Sequence, residues 1–263
     1  MPSPTDFNLS PYYDDYAESK KFHRILFRPA FAVQARELTQ SQSILQNQVE
    51  RVSDHLFEKG AMVIPGEIGY DLAYYAVKLT SKTGTLSSYE GVTLTGGTSG
   101  VVATVVKTSA TDGTDPDTLF VKYTKTGTNN SDLVFADGET ITGTAADSTA
   151  LSAVVNTTAT GSAAEIQAGV YYINGFHVQV DNQTLILDKY TNTPSYRVGL
   201  TVSESFVTPS DDTSLNDNAQ GSSNANAPGA HRFKINLTLS KLSLTSTEDS
   251  NFIELLRLSS GII

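Results

Sequence analysis

No cysteine occurs in the 263 residues. Disulfides and thiolate metal sites are thereby excluded, and cysteine usage leaves no mark of the redox compartment. Basic residues are also in short supply: 18 Lys and Arg stand against 28 Asp and Glu, a net charge of −10. The deficit is uneven, because residues 1–60 carry 7 basic and 8 acidic side chains, leaving 11 and 20 for the remainder. An acidic main part argues against broad nucleic-acid or anionic-membrane binding. No window approaches the roughly 18 uninterrupted apolar residues of a membrane span, so no membrane insertion is expected. The opening "MPSPTDFNLSPYYDDY" lacks the basic start and apolar stretch of a secretory signal. Export, if any, is expected to use another route.

Catalytic signatures are missing too. The four histidines (His23, His55, His177 and His231) are scattered, with no HExxH and no pair at ligand spacing. Neither a GxSxG elbow nor a GxxxxGK[ST] loop is present. The adjacent carboxylates Asp14–Asp15 and Asp211–Asp212 would point to opposite sides of a strand, unlike the facing pair that polysaccharide hydrolysis needs. Asp211, Asp212, Asn216, Asp217 and Asn218 could offer oxygens to Ca²⁺, but their spacing matches no established loop. The chain is read as a non-enzyme without cofactor or metal.

What is present is mostly β-pattern. Apolar residues make up 39% and charged residues only 17%, with Thr, Ser, Gly and Asn filling much of the rest, a mix suited to exposed sheet faces. From Tyr70 the period is two, with Tyr70, Leu72 and Tyr74 alternating against Asp71, Ala73 and Tyr75. "GVTLTGG", "GVVATVVKTS", "DTLFVKYTKTG", "GETITG" and "ALSAVVNTT" predict five short strands between about Leu86 and Thr158, a small barrel or sandwich. Asn174-Gly175, between "GVYYI" and "FHVQV", predicts a tight hairpin, because that dipeptide supplies two positive-φ positions. "YRVGLTVSE" and "RFKINLTLSKL" alternate as plainly, with Phe233, Ile235, Leu237 and Leu239 on one face. Between them, residues Thr208 to His231 show no strand pattern; Leu215, Ala219 and "APGA" suggest a loop that packs.

One stretch breaks the β-pattern. In "ARELTQSQSILQNQVERVSDHLFEKG", Leu38, Leu45 and Val52 sit seven apart, and Val49 and Leu56 form a second seven-residue series. With Gln42 as the polar member they make a 4-3 stripe, while Arg36, Glu37, Glu50, Arg51 and Asp54 fall outside it. A helix ending near Lys59-Gly60 follows. Two readings stand side by side: an amphipathic helix on its own domain, or a short self-associating coiled coil. Ahead of it lies a stretch with no steady period, in which Tyr12, Tyr13 and Tyr16 favour burial against something, whether this chain or a partner. The far end, "NFIELLRLSSGII", stops on two isoleucines after an apolar run, and the chain is expected to be the front of a longer polypeptide.

The stretch "YYDDYAESKKFHRILFRPAFAVQARELTQSQSILQNQVERVSDHLFEKGAMVIPG" resembles the start of a family of large virion proteins of tailed bacteriophages, among them contractile-tailed phages of cyanobacteria. That family is known only as a domain of unknown function and is associated with baseplate and tail-fibre components. The resemblance continues through "GVYYINGFHVQV", "LDKYTNTPSYRVGLTVSE" and "DDTSLNDNAQGSSNANAPGAHRFKINLTLSK", and leaves out Leu86 to Thr158, which reads as a variable insert. Two departures stand out: Ala30 where Gly is expected, and a more polar "TQSQSILQ".

The resemblance implies a virion structural protein, the particle-proximal part of a tail fibre or baseplate component, made in the bacterial cytoplasm. It implies a homotrimer joined through Leu38, Gln42, Leu45, Val49, Val52 and Leu56. It further implies an arm (Tyr12, Tyr13, Tyr16, Phe22, Phe27) that docks on other tail proteins. The expected architecture is mainly β with an N-terminal helix. It comprises an extended arm (1–33), the helix (34–60), a split antiparallel β-domain (61–85 and 159–263) and a small β-barrel or sandwich insert (86–158). Two rivals accompany it: an insert that recognises a host-surface glycan with Tyr89, Phe120 and Tyr123, and a polysaccharide depolymerase.

Overall fold

The computed structural model describes residues 3–218, 221 and 223–263. Its backbone is mainly antiparallel β with one α-helix. The spine is a pair of long strands, β2 (Ile68–Lys82) and β7 (Ala150–Ile166), joined from Ile68↔Ile166 to Lys82↔Ala153. The far half of this pair forms a barrel with β3 (Thr93–Gly96), β4 (Val102–Ser109), β5 (Thr118–Lys125) and β6 (Thr140–Thr144). Pairing runs β7-β2-β5-β4-β3-β6 and returns to β7, so the six strands close without an edge.

Closure follows from the alternation. Every second residue, such as Val77 and Leu79, Ala103 and Val105, Leu119 and Val121, or Leu151, Ala153 and Val155, points into one buried cluster. Tyr89 and Phe135 fill its remaining space, and the Tyr89 hydroxyl donates to the carbonyls of Thr83 (3.0 Å) and Ser152 (2.7 Å). The barrel wall reaches back along β2 to Tyr75, which pairs with Val121. Both spine strands therefore belong to barrel and base alike.

The base is a second core. One sheet holds β1 (Met62–Ile64), β8 (Gly169–Ile173) and β9 (Phe176–Val180) in the order β1-β8-β9. Another holds β11 (Tyr196–Val207), β12 (Arg232–Ser243) and β13 (Phe252–Leu258) in the order β12-β11-β13. β10 (Gln183–Asp188) pairs with the last residues of β7. Their inward residues, among them Ile166, Tyr171, Ile173, Val180, Leu200, Leu239 and Leu258, pack together. The β8–β9 hairpin turns on Asn174 (φ 48) and Gly175 (φ 91), as the dipeptide predicts. Lys189 ties barrel to base through Asp112 (2.6 Å) and Asp115 (3.7 Å), and the Tyr190 hydroxyl meets that of Thr118 at 2.7 Å.

The helix α1 spans Ala35–Leu56, stopping short of Lys59-Gly60. Its first turn is closed by Glu37, whose carboxylate accepts from the Gln34 backbone N–H at 2.8 Å. Phe57 is already extended, with its N–H on the Ser53 carbonyl at 2.7 Å. The 208–231 connection carries one short 3-10 turn, Thr213–Leu215, and a bridge between Asn216 and Pro228. Leu215 is half-buried, but Ala227 to Ala230 are exposed rather than packed, and Ala219 lies outside the described residues.

Candidate functional site: the helix and the arm

The surface of α1 divides into three. At about 100° per residue, Gln46, Glu50, Ser53 and Phe57 fall on one side, which lies on the β8–β9 hairpin. Gln46 Nε2 donates to the Gly175 carbonyl at 2.7 Å, the Tyr172 hydroxyl donates to Asp54 at 2.7 Å, and the Phe57 ring sits 6.0 Å from Tyr172 and 6.1 Å from His177. Glu50 is buried here, and burial, then the neighbouring Asp54 charge, push its carboxyl above the usual range. Burial and the bond to Asp54 push the Tyr172 hydroxyl up as well.

A second side is covered by the arm. The buried Asp14 accepts from Ser43, Asp15 accepts from Gln40 and pairs with Lys20 (3.3 Å), and Glu18 grips the Arg51 guanidinium through Nε (3.0 Å) and Nη2. The Lys20 hydrogen bond holds Asp15 below the usual carboxylate range, and the Arg51 bond does the same for Glu18. Tyr16 is half-buried along this side, and burial raises its hydroxyl.

The third side is the most exposed one, and it is the heptad stripe. Leu38 is 53% exposed, Leu45 67%, Val49 47%, Val52 63% and Leu56 66%, with Gln42 exposed among them. Apart from the buried Ile44, 4% exposed, the residues that α1 turns inward are polar and its apolar row faces out, the reverse of a helix whose stripe seals its own core.

The arm is also two things. Its first part is anchored: Phe7 meets Phe206 and Phe233 edge-on at 6.0 and 5.0 Å, and Tyr12 lies 5.0 Å from Phe206. The Tyr12 hydroxyl is 2.8 Å from His231 Nδ1. Glu204 accepts from Ser3 (2.6 Å), Thr5 and Asn174 (3.0 Å). From Lys21 to Val33 the chain has no secondary structure, and Phe22, Leu26, Phe27, Phe31 and Val33 are each more than half exposed. Of the five arm residues singled out in the sequence, Tyr12 and Tyr16 thus pack on this chain, while Tyr13, Phe22 and Phe27 are more than half exposed. Ala30, standing where Gly is expected, has φ 66, beside an Arg28 guanidinium 3.7 Å over the Phe31 ring. The nest residues Phe7, Phe206 and Glu204 escape sequence reasoning; only the alternation through Phe233 hints at them.

The glycan reading needs correction at its residues. Tyr89 and Phe120 are fully buried, Tyr89 inside the barrel and Phe120 stacked on Tyr74 at 5.5 Å outside it, so neither offers a ring face to a sugar. Tyr123 is wedged between Tyr75 (5.1 Å) and Phe135 (5.3 Å). Asp211 and Asp212 cap local turns, accepting from Thr208 (2.9 and 2.7 Å) and Ser214 (2.9 Å). Among the described residues no group of three or more His, Asp or Glu is placed to hold a metal ion.

No curated protein and no solved structure matches the chain. A family model does match it, over residues 10–117 and 109–263. The two segments overlap within 86–158, the stretch for which no resemblance was expected. The chain belongs to the family described as a domain of unknown function, DUF4815.

Proposed function

We propose that this chain is a structural protein of a tailed-phage virion, the particle-proximal part of a fibre or baseplate component. In this reading α1 joins identical chains, three of them, and the arm docks on other tail proteins through Tyr13, which is 59% exposed. The observation that carries self-association is the free stripe: five apolar side chains at heptad spacing, on a helix whose other sides are already occupied. An apolar row of this kind on a protein surface marks a contact. The virion setting rests on the resemblance of the N-terminal stretch, and the β-barrel and base then serve as a rigid collar around the joined helices.

Magnitude matters here. Fully burying a Leu or Val contributes about 1.5–3 kcal/mol, and side chains already half covered contribute about half of that, so the stripe supplies roughly 5 kcal/mol per chain. Association costs about 4–15 kcal/mol. The stripe alone is therefore marginal, and a stable assembly draws on further apolar area next to it.

The test is Leu45→Asp with Val49→Asp, two exposed positions whose change leaves the chain's own packing intact. The double variant is expected to run as a monomer by light scattering where the parent is an oligomer. An unchanged assembly state refutes the role of the stripe.

A further inference from the structure

Residues 3–20 and the thirteen that follow them are made to different standards. The anchored part, Ser3 to Lys20, fits a recess built from two distant places. The end of the β11–β12 hairpin supplies Glu204, Phe206 and Phe233, and α1 supplies Gln40, Ser43 and Arg51. The tether, Lys21 to Val33, is bonded to almost nothing. Among the described residues its backbone makes two hydrogen bonds, both local: Lys21 N–H to the Glu18 carbonyl at 2.9 Å, where the anchored part ends, and Phe31 N–H to the Arg28 carbonyl at 3.4 Å. Five of its side chains are large, apolar and mostly in water. Lys21, Arg24 and Arg28 of the tether have no ion-pair partner among the described residues.

We infer that the arm is exchanged between copies: Ser3 to Lys20 of one chain fills the recess of a second copy, and the tether crosses the interface beside α1. This rests on the self-association proposed above. Exchange keeps every arm contact, because the recess of the second copy is identical. What changes is the tether, whose Phe22, Leu26, Phe27, Phe31 and Val33 then run along a neighbouring helix and are covered. That is the additional apolar area which the heptad stripe lacks. The crossing is within reach: thirteen extended residues span at most about 45 Å, and packed helices lie about 8–10 Å apart. Once α1 holds the copies together, the arm's recess on the neighbour is available at high local concentration.

The absence of cysteine makes the test clean. Full-length chains carrying Phe7→Cys and Phe233→Cys, whose rings lie 5.0 Å apart, are linked with a short bismaleimide and run under denaturing conditions. Chains with either cysteine alone set the background. Exchange predicts that most linked product runs at two or three chain masses. A product at the mass of one chain, from a sample that light scattering shows to be an oligomer, overturns the exchange and leaves self-association standing. A sample that is monomeric overturns both. If the cysteines disturb the aromatic nest, Ser3→Cys with Glu204→Cys repeats the test at a hydrogen-bonded pair.

Discussion

Removing the Glu139 carboxylate should unfold the barrel earlier than any surface change nearby. Glu139 is 5% exposed, and its two oxygens receive four hydrogen bonds. Oε2 takes the backbone N–H groups of Thr98 and Ser99, both at 3.0 Å; Oε1 takes the Ser99 hydroxyl at 2.8 Å and the Ala136 N–H at 2.6 Å. This carboxylate therefore ties the β3–β4 turn to the approach of β6. Glu139→Ala strands four donors, each worth about 1–3 kcal/mol if left without a partner. Water entering the space satisfies some of them, so we expect a net loss of about 3 kcal/mol. At roughly 2–4 °C per kcal/mol for a chain of this size, that lowers the melting temperature by about 6–12 °C.

Glu139→Gln keeps the shape and one acceptor, and should cost less than Ala. The acid limb gives a second check. Burial raises the Glu139 carboxyl, but the bonds from Ser99, Ala136 and Thr98 outweigh it and hold the group below its usual value of 4.5. A depressed carboxylate contributes stability that is fully present above about 4.5 and is lost as pH falls through the folded value. The gap between parent and Glu139→Gln should therefore narrow below pH 4.5. Thermal melts of the three proteins from pH 3 to 8 decide it. A change under about 1 °C for Glu139→Ala, or a gap that widens in acid, refutes the reasoning.

Two further substitutions probe the base. Gly175→Ala places a Cβ at φ 91 and 3.2 Å from the Glu50 carboxyl, and should cost about 1–2 kcal/mol in denaturant unfolding; an unchanged midpoint would mean that the hairpin tip is not held against α1. Ser162 is fully buried and its hydroxyl has no partner among the described residues, so Ser162→Ala should be neutral or stabilising by up to about 1 kcal/mol. A clear loss of stability would point to a partner such as an internal water.

Much of the fold was legible because alternation and turn residues act locally. The five short strands, the Asn174-Gly175 hairpin and the face shared by Phe233, Leu237 and Leu239 all follow from period two. The length of the spine was not. β7 continues through "TTATGSAAEI", where small and polar residues weaken the pattern, and it is pairing with β2 that keeps this stretch extended. The heptad stripe was also legible, but not which way it faces. Hydrophobic periodicity marks apolar sides only, and the side that α1 lays on its own domain is built from Gln46, Glu50 and Ser53. The aromatic nest of the arm was hidden for another reason: Phe7, Phe206 and Phe233 come together from three distant stretches, and no local rule links them.

The most direct test of the account is the solution mass of the intact 263-residue chain. A mass near three times 28.2 kDa, independent of concentration well above the dissociation range, is the result that self-association through the exposed stripe predicts. A clean 28.2 kDa monomer at high concentration would contradict it, leaving the stripe to face another protein or solvent.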